Sequence, residues 1–259
     1  MLRRVRVPSR SSLVVNHLVA CLPARERKAL LACCETVDLQ FGQVLCEPDA
    51  QFRHVHFPLN GFVSLVAVVG DHRALEMGLI GNEGVLGASL VLGVNTVPLR
   101  GIVQGAGQAL RMTVKQFELQ LKESPALLRT LNRYLYVLMA QLSQTAACTR
   151  FHEVEPRLAR WLLMTHDRAH ADHFYLTHQF LADMLGVRRS GVTTAAGRMQ
   201  ARGLIGYTRG EMRILDRSGL EALSCECYAE VIADYREQLG EVGARTAAVA
   251  RPGKGLAAT

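Results

Sequence analysis

The spacing of apolar residues changes along the chain, and each spacing predicts a different kind of structure. Residues 16–34 (NHLVACLPARERKALLACC) place apolar residues between charged ones, as in a helix, and Pro23 suits the start of a second short helix. From residue 37 to about 114, short apolar runs alternate with Gly, Pro, Asn and Asp. Turn residues at such short intervals predict a β-sandwich or barrel, with a hairpin turn at Gly70-Asp71.

A long helix is predicted over residues 124–149. Ser124 can cap this helix, and Pro125 suits its first turn. Leucines recur every three or four positions, at Leu128, Leu131, Leu135, Leu138 and Leu142. This seam predicts pairing with an identical helix in a homodimer. Packing of the helix against its own domain would require the same spacing.

The C-terminal third of the chain predicts several shorter elements. Residues 153–168 have the pattern of an amphipathic helix, and a loop rich in His and Asp follows. Thr177 can cap a further helix that ends at Gly186, and another helix covers residues 188–202. Two short helices joined by a turn that contains Gly form a helix-turn-helix. The hairpin LIGYTRGEMRIL that follows would be a wing.

The charge of the chain points to a partner that carries phosphates. The formal net charge is +7, and most of the cations are Arg, which a GC-rich genome would also explain. Between residues 188 and 213, however, six Arg stand against the single acidic residue Glu211. Because the positive charge is concentrated on this segment, we expect it to contact double-stranded DNA.

The second helix of the predicted helix-turn-helix has the residue types of a recognition helix that contacts DNA bases. Such a helix enters the major groove with its N-terminal residues against the base edges. Arg189 can present two donors to guanine, and Arg188 and Arg198 add positive charge. Short polar side chains reach bases or phosphates without blocking the approach, at Ser190, Thr193 and Thr194. Arg209, at the tip of the wing, is expected to contact the phosphate backbone.

The segment LADMLGVRRSGVTTAAGRMQARGLIGYTRGEMRILD resembles the winged helix-turn-helix of the Crp/Fnr family of bacterial transcription regulators. The resemblance covers residues 14–228 and is strongest at 153–217. It implies an α+β chain with three parts: a double-stranded β-helix (jelly-roll-like) sensor domain at 14–123, a dimerisation helix at 124–149 and a DNA-binding domain at 150–228. The small and polar residues at 240–259, with Pro and Gly among them, predict a disordered tail. Thr177, His178 and Gln179 match the start of the family's first helix, which contacts phosphate.

The resemblance also implies a homodimer that binds a palindromic operator, with RNA polymerase as a candidate partner. The family's reading helix commonly has an Arg-Glu pair followed by a second Arg one turn later. At those positions this chain has Arg189, Ser190 and Thr194. We therefore expect Arg189 to contact a base and the rest of the half-site to differ from the family's usual one.

The predicted sensor domain lacks part of the family's cyclic-nucleotide site. Glu83 matches the Glu that accepts the ribose hydroxyl, but Val97-Pro98 stands where an Arg pairs with the phosphate. Arg100 is the nearest cation in the sequence, and Glu83 and Arg100 are the candidate effector residues. Because a buried phosphate needs a paired cation, a cyclic nucleotide is not favoured and the effector is unknown.

The Cys and His residues give no established metal or cofactor motif. The seven cysteines lack a CxxC pair and the short N-terminal spacing of the family's iron–sulfur members, and no haem signature is present. We expect small core residues and free thiols. Two His groups have the spacing of metal ligands: the pair His54 and His56, and the triplet His166, His170 and His173. A metal is not favoured at either, because FPLN follows the pair where the cupin motif has a Glu, and no fourth ligand is evident for the triplet.

Catalysis is not predicted, since no catalytic triad, phosphate-binding loop or paired-carboxylate signature is present. The alternative to a DNA-binding regulator is a cupin-like protein that binds a metal or small ligand and uses its helix-turn-helix for protein contacts. No secretory signal and no apolar run of roughly 20 residues is present, so a cytoplasmic protein without membrane contact is expected.

Overall fold

The computed structural model describes residues 15–68, 74–169, 172–208 and 210–240. Three predictions lie outside these ranges: the turn at Gly70-Asp71, the DNA contact of Arg209 and the disordered tail from residue 241. Within these ranges, no helix combines the length and the apolar character needed to cross a membrane.

The N-terminal half is a β-roll preceded by two short helices, as the pattern of turns predicts. Its five strands pair antiparallel in the order β1-β5-β3-β4, and β2 also pairs with β5. The elements are α1 (His17–Ala20), α2 (Ala24–Ala32), β1 (Glu35–Leu39), β2 (Val44–Cys46), β3 (His54–Ala67), β4 (Leu75–Ile80), a 3₁₀ helix (Ala88–Leu92) and β5 (Arg100–Thr113).

Glycines allow the two long strands of the roll to bend together. Pairing of β3 with β5 changes register three times between Pro58 and Val63. Gly61 has φ +81°, and a Cβ there would lie 2.3 Å from the Gly105 carbonyl oxygen. A Cβ on Gly107 would meet the Asn60 carbonyl oxygen at 2.1 Å. Larger residues cannot occupy these positions, so the bend of the roll depends on them.

Two helices follow the roll, and the first of them was not predicted. Thr113 caps α3 (Val114–Glu123) in a capping box with Gln116. Ser124 then caps α4 (Pro125–Phe151): its hydroxyl accepts from the Leu127 amide at 3.1 Å, and Pro125 is the first helical residue. The predicted start of the long helix is therefore confirmed.

The apolar seam predicted on α4 combines two faces of the helix. Leu131 is fully buried in the chain's own core, so it is not available to a second subunit, and its assignment to a dimer interface is wrong. Leu135 and Leu138 are half-buried against the same core, whereas Leu128 is exposed. The buried face consists of Leu127, Leu131, Tyr134, Val137, Gln141, Thr145 and Cys148.

The C-terminal part is a winged helix-turn-helix followed by one more helix. Its elements are α5 (Val154–Ala169), β6 (His173–Tyr175), α6 (His178–Leu185), α7 (Arg189–Ala201), β7 (Ile205–Thr208), β8 (Glu211–Ile214), α8 (Arg217–Leu223) and α9 (Cys227–Leu239). Two features differ from the sequence prediction. The His- and Asp-rich loop contains β6, which joins the wing sheet in the order β6-β8-β7. In addition, α9 packs along α4, and its residues Val231 and Tyr235 belong to the same buried cluster as Leu131 of α4.

The winged helix-turn-helix shares one hydrophobic core with the β-roll. Phe62, Val66 and Leu79 of the roll belong to the same buried cluster as Trp161 of α5 and Leu181 of α6. Within this interface a carboxylate is buried. Glu76 of β4 accepts hydrogen bonds from the Trp161 indole N–H at 2.8 Å and from the Ser64 hydroxyl at 2.7 Å.

Burial raises the pKa of Glu76 to about 7, although both hydrogen bonds and the charges of Arg160 and Arg168 act in the opposite direction. The folded state therefore binds a proton that the unfolded chain loses at lower pH. The stability from protonated Glu76 is full below the ordinary Glu pKa and is lost as the pH rises through about 7.

We predict that Glu76→Gln flattens the pH dependence of stability between about pH 4.5 and 8. An amide can accept from Trp161 and donate to Ser64 without carrying a charge, so the fold should be retained. Thermal melts of both proteins across this range measure the effect. Glu47→Gln, at an exposed ion pair, is the matched control and should leave the profile unchanged. Parallel profiles for wild type and Glu76→Gln would contradict the assignment.

Candidate nucleic-acid interface

The helix-turn-helix forms from the local signals that predict it. Thr177 caps α6, because its hydroxyl accepts from the Phe180 amide at 3.1 Å. Gly186 ends α6 in the left-handed conformation with φ +63°. The inward positions of α7 are buried as expected, at Val192, Ala195, Ala196 and Met199. These contacts determine which side of α7 faces outward.

The outward face of α7 carries the predicted DNA-reading residues. Arg188, Arg189, Ser190, Thr193 and Thr194 are all exposed. No side chain caps the first turn of α7, where Arg188 holds the N-cap position. The first amide groups of the helix therefore keep their capacity to bind an anion such as phosphate.

His178 holds α6, α7 and the wing together. Its ring stacks on Tyr207 of β7 with centroids 4.4 Å apart. The Thr193 hydroxyl donates to the Arg189 carbonyl at 3.0 Å, so its oxygen accepts from His178 Nδ1, also at 3.0 Å. Burial, and then the charge of Arg189, lower the pKa of His178. A neutral His178 therefore positions α7, and the Thr193 hydroxyl is already hydrogen-bonded to two groups of the protein.

Other predicted DNA contacts are also held by neighbouring side chains. The Gln179 amide donates to Asp183 at 2.9 Å. Arg198 lies 3.4 Å from Glu155 of α5, and Arg202 lies 3.6 Å from the same carboxylate. In contrast, among the residues that the structure describes, Arg188, Arg189, Ser190 and Thr194 make no side-chain hydrogen bond or ion pair. These four side chains are free to meet a ligand.

The two candidate effector residues lie in separate ion pairs. Glu83 accepts from Arg168 of α5 at 2.7 Å, and both side chains are almost fully buried. Arg100 pairs with Glu47 at 2.8 Å on the surface. Glu83 thus links the β-roll to α5, and the structure does not bring it together with Arg100.

The two His groups with metal-ligand spacing do not form a cluster in the described residues. His54 and His56 share one side of β3, with ring centroids 6.3 Å apart, and burial lowers the pKa of His56 to about 4. His166 is held between Asp172, at 2.7 Å from Nε2, and Arg217, which donates to Nδ1 at 2.6 Å. His170 lies outside the described ranges.

One cluster of potential metal ligands was missed by the sequence reasoning. Cys148, His152, Cys225 and Cys227 bring their ligand atoms within 4.8 Å of one another. A hydrogen bond from Cys225 lowers the pKa of the Cys148 thiol. Cys225 and Cys227 form a C-x-C pair, and Cys148 and His152 lie four residues apart, but only the packing of α9 on α4 brings these two pairs together.

We predict opposite effects for two Gly→Ala changes in the helix-turn-helix. Gly186→Ala should destabilise the protein by about 1–2 kcal/mol, because the left-handed conformation disfavours a Cβ that would also lie 2.9 Å from Leu75. Gly197→Ala is the control: it lies inside α7 with no atom within 4 Å of a Cβ, and should stabilise by about 0.5–1 kcal/mol. Denaturant unfolding measures both, and equal effects would contradict the placement of the turn.

Comparisons with known proteins agree with this geometry. Residues 156–223 match the Crp-like helix-turn-helix domain family. No curated protein sequence matches the chain. Among solved structures, the chain is similar to a putative transcriptional regulator of the Crp/Fnr family from Eubacterium rectale, with a TM-score of 0.63 at 16% identity, over 80% of this chain and 96% of that one.

Two further solved structures show the same fold. FixK2 from Bradyrhizobium japonicum has a TM-score of 0.63 at 15% identity, over 74% of this chain and 98% of its own. The c-di-GMP responsive global regulator CLP from Xanthomonas campestris has a TM-score of 0.61 at 17% identity, over 74% of this chain and 99% of its own. The chain thus contains a Crp-like helix-turn-helix domain and has the fold of the Crp/Fnr-family transcription regulators.

Proposed function

We propose that this protein is a sequence-specific, homodimeric transcription regulator that binds a palindromic operator through α7. The observation that carries the proposal is the exposed N-terminal face of α7, where Arg188, Arg189, Ser190 and Thr194 have no side-chain partner in the described part of the chain. In contrast, Arg198 and Arg202, farther along and just after α7, both pair with Glu155. Free cations at a helix start favour a polyanionic partner.

The four free side chains divide into two roles. Arg189, in the first turn of α7, is placed to present its two-donor fork to O6 and N7 of a guanine in the major groove. Ser190 and Thr194 lie beside it on the exposed face and would meet neighbouring bases. Arg188 and the uncapped amide groups would bind phosphate, which sets the register on the duplex.

Pairing of two chains would use the side of α4 that the chain's own core leaves uncovered. Leu128, Tyr136 and Met139 are exposed there by 37%, 50% and 59%. Leu128, Leu135, Met139 and Leu142 follow the spacing of a coiled-coil seam. Two-fold pairing along this stripe would present two copies of α7 to half-sites about one helical turn apart.

The sensor role of the β-roll rests on its contacts with the DNA-binding part. Glu76 and Glu83 of the roll both bond to α5, so a change in the roll would be felt at the helix-turn-helix. A cyclic nucleotide held by Glu83 and Arg100 is not proposed, because these residues are in separate ion pairs. Contact with RNA polymerase stays a prediction.

Selection of bound sequences from a random duplex library, with the full chain, tests the proposed function. We expect one enriched palindrome with two identical half-sites. Binding should weaken steeply with salt, because each phosphate contact releases counterions. A library that returns no enriched sequence at any salt concentration would contradict the proposal and favour protein contacts for the helix-turn-helix.

We predict that Arg189→Ala weakens binding to the selected operator by about 5- to 150-fold at fixed salt, which corresponds to about 1–3 kcal/mol for one guanine contact. It should also relax the base preference at one position of each half-site. Titration of labelled operator measures the affinity. Arg25→Ala, an exposed cation on α2, is the charge-matched control and should change binding little. Equal loss in both variants would show that only the total charge matters.

We predict that the double change Leu128→Asp and Met139→Asp converts the dimer to a monomer while the fold is retained. Both side chains are exposed on α4, so the charges cost little in the isolated chain but oppose each other across a two-fold seam. Sedimentation measures the mass, and circular dichroism checks the fold. Leu119→Asp on α3, where Leu119 is 49% exposed, is the control. A variant that remains dimeric would place the interface elsewhere.

A further inference from the structure

Four side chains of metal-ligand type meet where the long helix ends. Cys148 and His152 lie one turn apart at the C-terminal end of α4, so they share one face. Cys225 and Cys227 flank Glu226 at the start of α9. All four ligand atoms lie within 4.8 Å of one another.

The distances between these atoms suit a single tetrahedral ion. The Cys148 and Cys225 sulfurs are 3.6 Å apart, and the Cys227 sulfur is 3.4 Å from His152 Nδ1. In a tetrahedral zinc site, bond lengths near 2.3 Å to sulfur and 2.0–2.1 Å to nitrogen require separations of about 3.8 Å between sulfurs and about 3.5 Å from sulfur to nitrogen. The two recorded separations are within a few tenths of an ångström of these values.

We propose that Cys148, His152, Cys225 and Cys227 form a Cys₃His site for one Zn²⁺ ion at the junction of α4, α5 and α9. The ion would be held by three thiolates and the Nδ1 lone pair of His152, and the three thiol protons would pass to solvent on binding. Such a closed four-ligand set is typical of a structural zinc site, which has no open position for a substrate.

The groups around the cluster are those that a zinc site uses to orient its ligands. His152 Nε2 lies 3.1 Å from the Glu226 carboxylate. With Nε2 donating to Glu226, Nδ1 is left free to bind a metal, as in the common arrangement of carboxylate, histidine and zinc. The Gln144 amide donates to the Cys227 sulfur at 3.0 Å, which would stabilise a thiolate there.

Two buried arginines supply the charge that such a centre requires. Three thiolates and one Zn²⁺ leave a net charge of −1. Arg157 and Arg160 are each more than 90% buried, and neither forms an ion pair with any residue that the structure describes. Arg157 donates to the Leu185 carbonyl oxygen, and Arg160 donates to the Thr145 hydroxyl at 3.2 Å, so the partners of both are uncharged groups. Because buried charges are normally paired, an anionic zinc–thiolate centre would supply a negative charge close to both cations, in addition to the Glu76 carboxyl group that lines the same cavity as the two arginines.

The position of the site gives it a structural consequence. The last turn of α4 leads through His152 into α5, the first helix of the Crp-like domain. An ion bound by Cys148 and His152 at the end of α4 and by Cys225 and Cys227 at the start of α9 would hold α9 at this junction. It would also restrict rotation of α5 relative to α4. The inference does not depend on DNA binding, since metal content and stability can be measured without DNA.

Metal analysis of the purified full chain, without a histidine tag, is the first test. We expect one zinc per chain by elemental analysis. Removal of the ion with a chelator should lower the melting temperature, and added Zn²⁺ should restore it. Added to the metal-free protein, Co²⁺ should give the visible bands of a tetrahedral ion and the near-ultraviolet band of thiolate ligation, and Zn²⁺ should abolish both.

Two pairs of matched variants distinguish this site from other thiols. Cys225→Ser should remove the thiolate band or reduce it by one ligand, whereas Cys21→Ser, at an exposed thiol elsewhere, should not. Cys225 is buried, so that variant could fail to fold. Glu226→Gln, at an exposed residue, avoids this problem and should weaken Zn²⁺ affinity about 10- to 100-fold. Glu230→Gln, exposed on the same helix, should leave the affinity unchanged.

Several outcomes would overturn the proposal. One is an octahedral Co²⁺ spectrum without a thiolate band, and another is equal Zn²⁺ affinity in Glu226→Gln and Glu230→Gln. Iron with acid-labile sulfide would identify a cluster instead of a single ion. A mass two hydrogens lower under non-reducing conditions, with Cys148 and Cys225 joined in a peptide map and no metal bound, would identify a disulfide. Operator selection is unaffected by these results, so the proposed function can fail or hold separately.

Discussion

The orientation of the winged helix-turn-helix depends on polar groups buried between the β-roll and α5. The Trp161 indole bonds to Glu76, and Arg168 forms an ion pair with Glu83. Removing these groups from water is costly, and only the complete pair compensates for the cost. If the β-roll and α5 moved slightly apart, the groups of both pairs would lose their hydrogen-bond partners while still shielded from water. The interface therefore favours one arrangement strongly over intermediate ones.

The junction at the end of α4 adds covalent continuity to this interface. The chain passes from α4 to α5 within three residues, and α9 begins beside the same point and packs along α4. Any rotation of the winged helix-turn-helix against the β-roll would therefore change the contact with the roll and the thiol cluster together. Because Val231 and Tyr235 also anchor α9 in the roll-side core, such a rotation would move the C-terminal helix or bend it.

The sequence predicts local structure well and long-range packing poorly, for physical reasons. Ser124, Thr177 and Gly186 act on the backbone within one helical turn, so residue type alone reveals their roles. The seam on α4 was misassigned at Leu131, because apolar spacing shows that a face is buried but not what covers it. The partner of Glu83 is 85 residues away, and the thiol cluster depends on α9, which the periodicity did not reveal.

The same long-range contacts refine the expected reading of DNA. Sequence alone placed Thr193 among the readers, since it is polar and faces outward on α7. The fold gives its hydroxyl to His178 and the Arg189 carbonyl, so reading a base with it would break two hydrogen bonds. In the proposed function, base discrimination is then left to Arg189, Ser190 and Thr194. One long cation beside two short hydroxyls favours a half-site in which a single guanine dominates and its neighbours tolerate substitution.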